Sequence, residues 1–323
     1  MMKRTLLLSS LVVMAAFILS FSTKDPVIKG ANVKTLIIDP GHGGTFPGAR
    51  GLISSEKQVS LAVAMKLGKA LKKEFPELKI VYTRTTDANA GNKKSLSEDL
   101  QYRANLANES GGDLFISIHC NSAGKKAGGW NERIVTGTKP VKTTVGKGKK
   151  KKTVTVQQKI YGTRWVENKA RGTETYIWAV NKNEAKINSV NKIEYYGELA
   201  DSVEYAKLKM PDPSDPLEKA RMLIYAQQFF NKSLVLAGLV EKHFSSTGRI
   251  SRGVKQRNDE GIWVLQATGM PSILIEIGFI SNKEEELYLN SEKGQDEIVA
   301  DIVAAFRTYH LGSNAGHASA GAD

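Results

Sequence analysis

Six short, nearly all-apolar runs recur along the chain: Thr35–Asp39, Lys79–Thr83, Leu114–His119, Glu174–Val180, Ile262–Leu265 and Ser272–Ile277. Several lack the polar alternation of a half-exposed strand, so they predict strands covered on both faces. Helical patterns alternate with them. Ser55 supplies an N-cap, with Gln58 three residues on as its capping-box partner. Val59, Val63, Leu67 and Leu71 then mark one apolar face at four-residue spacing. Further helices are expected over Leu96–Ser110, Pro216–His243, Asn282–Asn290 and Glu292–Tyr309. Strands that alternate with helices predict a layered α/β domain.

Two stretches break the alternation. Gly124–Arg171 contains "GKGKKKK", flanked by β-prone pieces at Arg133–Thr138 and Thr153–Tyr161. It predicts an inserted β-hairpin with a very basic tip. The chain carries a net charge of +13, and between Lys125 and Arg171 eleven lysines and three arginines face only Glu132 and Glu167. Nearly all the excess charge therefore sits in one segment, which argues against a generally basic nucleic-acid-binding domain. The tip must face solvent or an anionic partner, with carboxylate-bearing fragments, anionic lipid headgroups and an acidic protein as candidates. The second stretch, Asn181–Asp215, is charged and ends in "PDPSDP".

At the N-terminus, Lys3 and Arg4 precede an apolar run from Leu6 to Leu19, followed by Ser20 and Ser22. This pattern predicts a secretory signal peptide over residues 1–22; the run is too short for a permanent membrane span. The expected organisation is then a linker over 23–33, a catalytic domain over 34–310 with insertions at 124–171 and 181–215, and a disordered tail over 311–323. The lone cysteine, Cys120, allows no internal disulfide, and its position in a strand points to packing.

Of the five histidines, His243 and His310 fall at expected helix C-termini, where positive charge is favourable, and His317 lies in the tail. His42 and His119 each follow an apolar strand, the place where open α/β sheets build sites. Glu56 opens the helix after the Gly-rich turn "IIDPGHGG" and points back towards that strand end. It either completes a two-His, one-Glu zinc set or complements the helix dipole. Glu276 lies between Ile275 and Ile277 in a buried strand, and a carboxylate there needs a partner or a site. Such surroundings also suit general acid–base work.

"IIDPGHGG", "SEKQVSLAVAMKLGKAL", "VYTRTTD", "FISIHCNS", "GTETYIW" and "MPSILIEIGFISN" occur in this order. Together they resemble the zinc-dependent N-acetylmuramoyl-L-alanine amidases of the amidase_3 type, over roughly residues 34–310. The resemblance implies a twisted, mostly parallel sheet between helices. It implies Zn2+ held by His42, Glu56 and His119, with Glu276 as the catalytic residue. The implied substrate is peptidoglycan, at the amide joining N-acetylmuramic acid to L-alanine, and the implied location is the periplasm or cell envelope. Asp39 either orients a ligand or stabilises its turn; Arg84 and Arg103 match family positions or form structural ion pairs. Asn181–Asp215 stands where some division-associated relatives carry a helix that blocks the zinc, which suggests autoinhibition relieved by an envelope activator protein. Rival readings are a zinc peptidase acting within the stem peptide and a non-catalytic wall-binding module.

Overall fold

The computed structural model describes residues 28–178, 216–256 and 262–313. The expected signal peptide, the Asn181–Asp215 insertion, His317 and the tail from residue 314 lie outside these residues.

The described chain runs β1 (Thr35–Pro40), α1 (Glu56–Glu74), β2 (Lys79–Tyr82), α2 (Leu96–Glu109), β3 (Leu114–Asn121), β4 (Gly129–Val145), β5 (Lys152–Glu167), β6 (Thr173–Ile177), α3 (Pro216–Ser246), β7 (Ser251–Gln256), α4 (Trp263–Ala267), β8 (Ser272–Phe279), α5 (Lys283–Asn290) and α6 (Glu292–Leu311). Six strands form one sheet in the order β2-β1-β3-β8-β6-β7. β2, β1, β3 and β8 pair in parallel, β6 runs antiparallel to β8, and β7 runs parallel to β6. The α/β architecture with a mostly parallel sheet and an inserted hairpin is as expected.

Alternate residues of the same strands enter opposite cores. Leu36, Ile38, Ile116, Ile118, Ile275 and Ile277 pack under α1, α3 and α6. Ile37, Phe115 and Leu274 face Ala107 of α2 and Val264 and Leu265 of α4. Both faces of the central strands are therefore covered, which explains their unbroken apolar sequences. The capping box at α1 is present, with the Ser55 N–H donating to Gln58 Oε1 at 2.9 Å.

Two local expectations change. Ile262–Leu265 is not a strand: Ile262 caps α4, whose Val264 and Leu265 bury against the second core. A short apolar run fits a buried helix turn as well as a strand. The sheet's remaining strand is β7, "SRGVKQ", at the edge beside β6. Residues 28–33 pack along the end of α6, where the Ala31 N–H donates to the Tyr309 carbonyl at 2.9 Å.

His243 and His310 do sit in the last turns of α3 and α6, but burial lowers the pKa of both, away from the charged form. His310 stacks on Phe306, and its Nδ1 accepts from the Val33 N–H at 3.0 Å, so it is a neutral packing residue. Among the described residues, no helix is long and apolar enough to cross a membrane.

Candidate metal centre

β1 and β3 are neighbours whose following connections leave in opposite directions, so their carboxyl ends frame a crevice. The turn after β1 enters it. His42 adopts φ 61°, a left-handed conformation that costs a β-carbon residue roughly 1–2 kcal/mol. Two arginines clamp this turn. Arg103 donates from Nη1 to the Pro40 carbonyl at 2.8 Å and from Nη2 to the His42 carbonyl at 2.6 Å. Arg84 donates to the carbonyls of Pro40 and Gly41 at 2.9 and 2.8 Å.

Arg103 is itself fixed by buried acids. Its Nη1 lies 2.8 Å from Asp39 Oδ1 and its Nε 2.6 Å from Asp99 Oδ1, with all three side chains almost fully enclosed. Asp39 also accepts from Thr83 Oγ1 and Ser117 Oγ, both at 2.6 Å. Burial alone would raise the Asp39 pKa; Arg103 and the two hydroxyls outweigh it and hold the carboxyl below its ordinary range. Asp39 thus acts through Arg103 on the His42 turn and touches neither histidine ring directly. Arg84 makes no ion pair among the described residues; burial first, then the neighbouring Arg103 charge, lower its pKa to about 10.

Glu56 is the first residue of α1, aimed back at the strand ends. Its Oε1 lies 2.7 Å from His119 Nδ1 and its Oε2 3.1 Å from His42 Nε2. Backbone N–H groups of Ala49 and Cys120 also donate to this carboxylate, at 2.8 and 3.2 Å. Burial would raise its pKa, but hydrogen bonds from His119 and His42 and their charge outweigh burial and hold Glu56 ionised well below the usual range. The loop before α1 is secured by Glu286, which accepts from the N–H groups of Leu52, Ile53 and Ser54.

One ligand atom from each of His42, Glu56 and His119 lies within 4.8 Å of the others, an arrangement that could hold a metal ion. Glycine makes the approach possible. A Cβ at Gly41 would meet the His119 ring at 2.4 Å, and one at Gly48 would meet Glu56 Oε2 at 2.4 Å and the His42 ring at 2.6 Å. Two imidazoles and a carboxylate, with backbone donors orienting the carboxylate, fit the zinc donor set.

Glu276 of β8 stands in register with His119, one strand away, so both side chains rise from the same face of the sheet. It is 8% exposed. The next strand adds a residue that sequence reading passed over: Glu174 pairs directly with Glu276 across β6 and β8. Glu174 accepts from Asn121 Nδ2, Tyr176 Oη and Arg252 Nε at 2.9, 2.8 and 2.6 Å. Its signal was the one that singled out Glu276, a carboxylate inside a strand. Cys120 faces the larger core; burial pushes its thiol well up, which leaves it a packing residue.

Probable N-acetylmuramoyl-L-alanine amidase AmiB of Haemophilus influenzae is 28% identical over 298 residues, covering 92% of this chain and 56% of that protein. The germination-specific N-acetylmuramoyl-L-alanine amidase of Bacillus subtilis is 24% identical over 312 residues, covering 94% and 92%. The chain spans about half the length of AmiB and of Escherichia coli AmiC. Two solved structures share the fold: an N-acetylmuramoyl-L-alanine amidase from Clostridium difficile 630 (TM-score 0.51, 24% identity, 86% of this chain and 97% of that one) and the CwlD amidase from Clostridioides difficile in complex with the GerS lipoprotein (TM-score 0.52, 21%, 85% and 98%). The family model described as N-acetylmuramoyl-L-alanine amidase matches residues 36–308, and the chain belongs to this Amidase_3 family.

Proposed function

We propose that this chain is a zinc hydrolase that cleaves the amide between N-acetylmuramic acid and L-alanine of peptidoglycan stem peptides, in cell-wall remodelling or daughter-cell separation. The observation that carries the reading is the convergence of His42, Glu56 and His119 where the carboxyl ends of β1 and β3 meet the start of α1, with Glu276 in register beside His119. These three residues would hold the ion. An ion held there would supply Lewis-acid chemistry, lowering the pKa of a water and polarising a carbonyl.

The chain's own residues supply the rest. Glu276 takes the proton of the attacking water on its carboxylate and returns it to the amide nitrogen as the C–N bond breaks. The new C–O bond leaves a lactyl carboxylate on the sugar and a free amine on L-alanine. Arg103 and Arg84 hold the His42 turn in place, and the Ala49 and Cys120 amides orient Glu56.

Purified sacculi digested with the zinc-loaded protein should release stem peptides that begin with a free L-alanine amine. Mass spectrometry reads this directly. Fragments cut within the stem would make the protein a peptidase, and intact sacculi would make it a wall-binding module.

The strain at His42 gives a second test. His42→Gly is expected to lower the unfolding free energy of the metal-free protein by only about 1–3 kcal/mol, because relief of the left-handed strain offsets the added chain entropy and leaves the lost His42–Glu56 contact as the main cost. Its zinc content should fall to background. A loss of several kcal/mol in chelator, with zinc retained, would make His42 a structural residue.

Export to the periplasm or cell envelope follows from the N-terminal pattern. An envelope protein partner is part of the proposal; CwlD, which shares the fold, is solved with a lipoprotein.

A further inference from the structure

The inserted hairpin is a separate two-stranded ribbon. Among the described residues, β4 and β5 pair only with each other and take no part in the six-stranded sheet. At about 3.3 Å per residue, strands of this length reach up to roughly 50 Å from the body. The root is fixed. The Gly128 N–H donates to the Ser281 carbonyl at 3.0 Å, and Asn282 Nδ2 donates to the Asn168 carbonyl at 3.0 Å. β3 with His119 leads into this root and β6 with Glu174 leaves it, so the ribbon is a lever attached at the rim of the site.

Charge along the ribbon is polarised. Near the root, Arg164 pairs with Glu132 at 2.8 Å and Arg133 stacks over Tyr161. Between residues 138 and 159 there are eight lysines, no acid, no arginine and no aromatic residue. Among the described residues, none of these lysines has a carboxylate within ion-pair distance. Lys149 to Lys151 sit at the turn and Lys152 opens β5 beside it, all four exposed, where Gly146 and Gly148 take positive φ. One face of the same half carries a valine cluster: Val141 opposes Val156, with Val154 and Val145 on the same side beside Thr143 and Lys152. Val145 and Val156 are 39% and 43% exposed. A two-stranded ribbon is marginal in water without a surface to cover such a face.

We infer that the distal half of this ribbon docks on an anionic phospholipid surface, with the lysine tip among headgroup phosphates and the valine face at the acyl boundary. The residue types choose this partner over a protein or a carboxylate-bearing wall fragment. Recognition of carboxylates in fixed geometry uses arginine forks, and protein interfaces centre on aromatic and arginine anchors. This half has neither. Lysines are mobile point charges, and a cluster of them gains about 1 kcal/mol per residue near an anionic lipid surface. The docked lever would hold the candidate site up to roughly 50 Å from the bilayer.

The test compares partitioning of the full chain onto vesicles of phosphatidylcholine alone and of phosphatidylcholine with phosphatidylglycerol. Taking the ratio cancels any charge-independent apolar binding. The parent should prefer anionic vesicles, and the preference should fade near 1 M salt, where charges are screened beyond about 3 Å. Replacing Lys149, Lys150, Lys151 and Lys152 with serine should cut the preference by roughly two to three orders of magnitude. Replacing Lys142 and Lys159 instead should cut it by a smaller factor. Binding to sacculi and turnover of small soluble fragments should stay at the parent's level, which separates this inference from the amidase reading. A quadruple variant with the parent's vesicle preference overturns the inference. So does a variant whose loss appears on sacculi and not on vesicles, which would assign the ribbon to the wall.

Discussion

Glu276→Gln is expected to retain zinc and the fold while kcat falls by roughly two to four orders of magnitude. Glutamine matches glutamate in size, so the enclosed position between Ile275 and Ile277 of β8 keeps its packing. What disappears is the carboxylate that accepts the water's proton. The companion residue is Glu174, directly opposite. Burial pushes the Glu174 pKa up, but Arg252 and Tyr176 outweigh it and keep the carboxyl below its ordinary range. Glu174 is therefore a poor proton carrier near neutrality, and Glu174→Gln should cost less in kcat than Glu276→Gln. Near-normal turnover of zinc-bound Glu276→Gln would move the base elsewhere, and Glu174 would be the next carboxylate to test.

Arg103→Met should destabilise the protein by about 3–5 kcal/mol, the usual result of removing one partner from a buried ion pair. The substitution strands Asp39 and Asp99 in an enclosed site and frees the carbonyls of Pro40 and His42. The pH dependence distinguishes this from lost packing. In the parent, Asp39 has a folded pKa below its unfolded value, so its contribution is fully present above the unfolded pKa. That contribution is lost as pH falls through the folded pKa. Without Arg103, burial dominates and the folded pKa of Asp39 rises above the unfolded one. The variant then recovers stability as pH falls and the carboxyl neutralises. Denaturant unfolding of both proteins from neutral pH towards pH 4 should show the gap narrowing. A gap that stays constant with pH would mean that Arg103 acts by packing alone.

The main sheet was legible wherever burial was two-sided. Leu36 to Ile38, Phe115 to Ile118 and Ile273 to Ile277 are unbroken apolar runs because cores lie on both faces. β7 was not legible. It is an edge strand with one large apolar residue, Val254, and backbone pairing to β6 holds it rather than a sequence pattern. Ile262–Leu265 misled because four apolar residues fit one buried helix turn as well as a strand. The hairpin was found but drawn short, since its Thr–Lys alternation carries little apolar signal. Pro140 falls within β4 opposite Gln157, and a strand with a free edge accepts proline.

In the site, His42, Glu56, His119 and Glu276 could be read because strand ends and a helix start are local in sequence. The network behind them was legible only in part: Asp39 and Arg103 stood out, but not that they pair with each other. Asp39, Thr83, Asp99, Arg103 and Ser117 come from three separate elements and the loop after β2, and only the tertiary fold brings them together. Glu286 is the same case, since it reaches the loop before α1 from more than 200 residues away.

Anomalous X-ray scattering at the zinc edge, from crystals of the zinc-loaded protein, tests the central claim most directly. The account predicts one strong peak bonded to a ring nitrogen of His42, a ring nitrogen of His119 and a carboxylate oxygen of Glu56, at about 2.0–2.2 Å. A crystal of zinc-loaded protein with no peak there, or with its peak at another set of residues, would contradict the account.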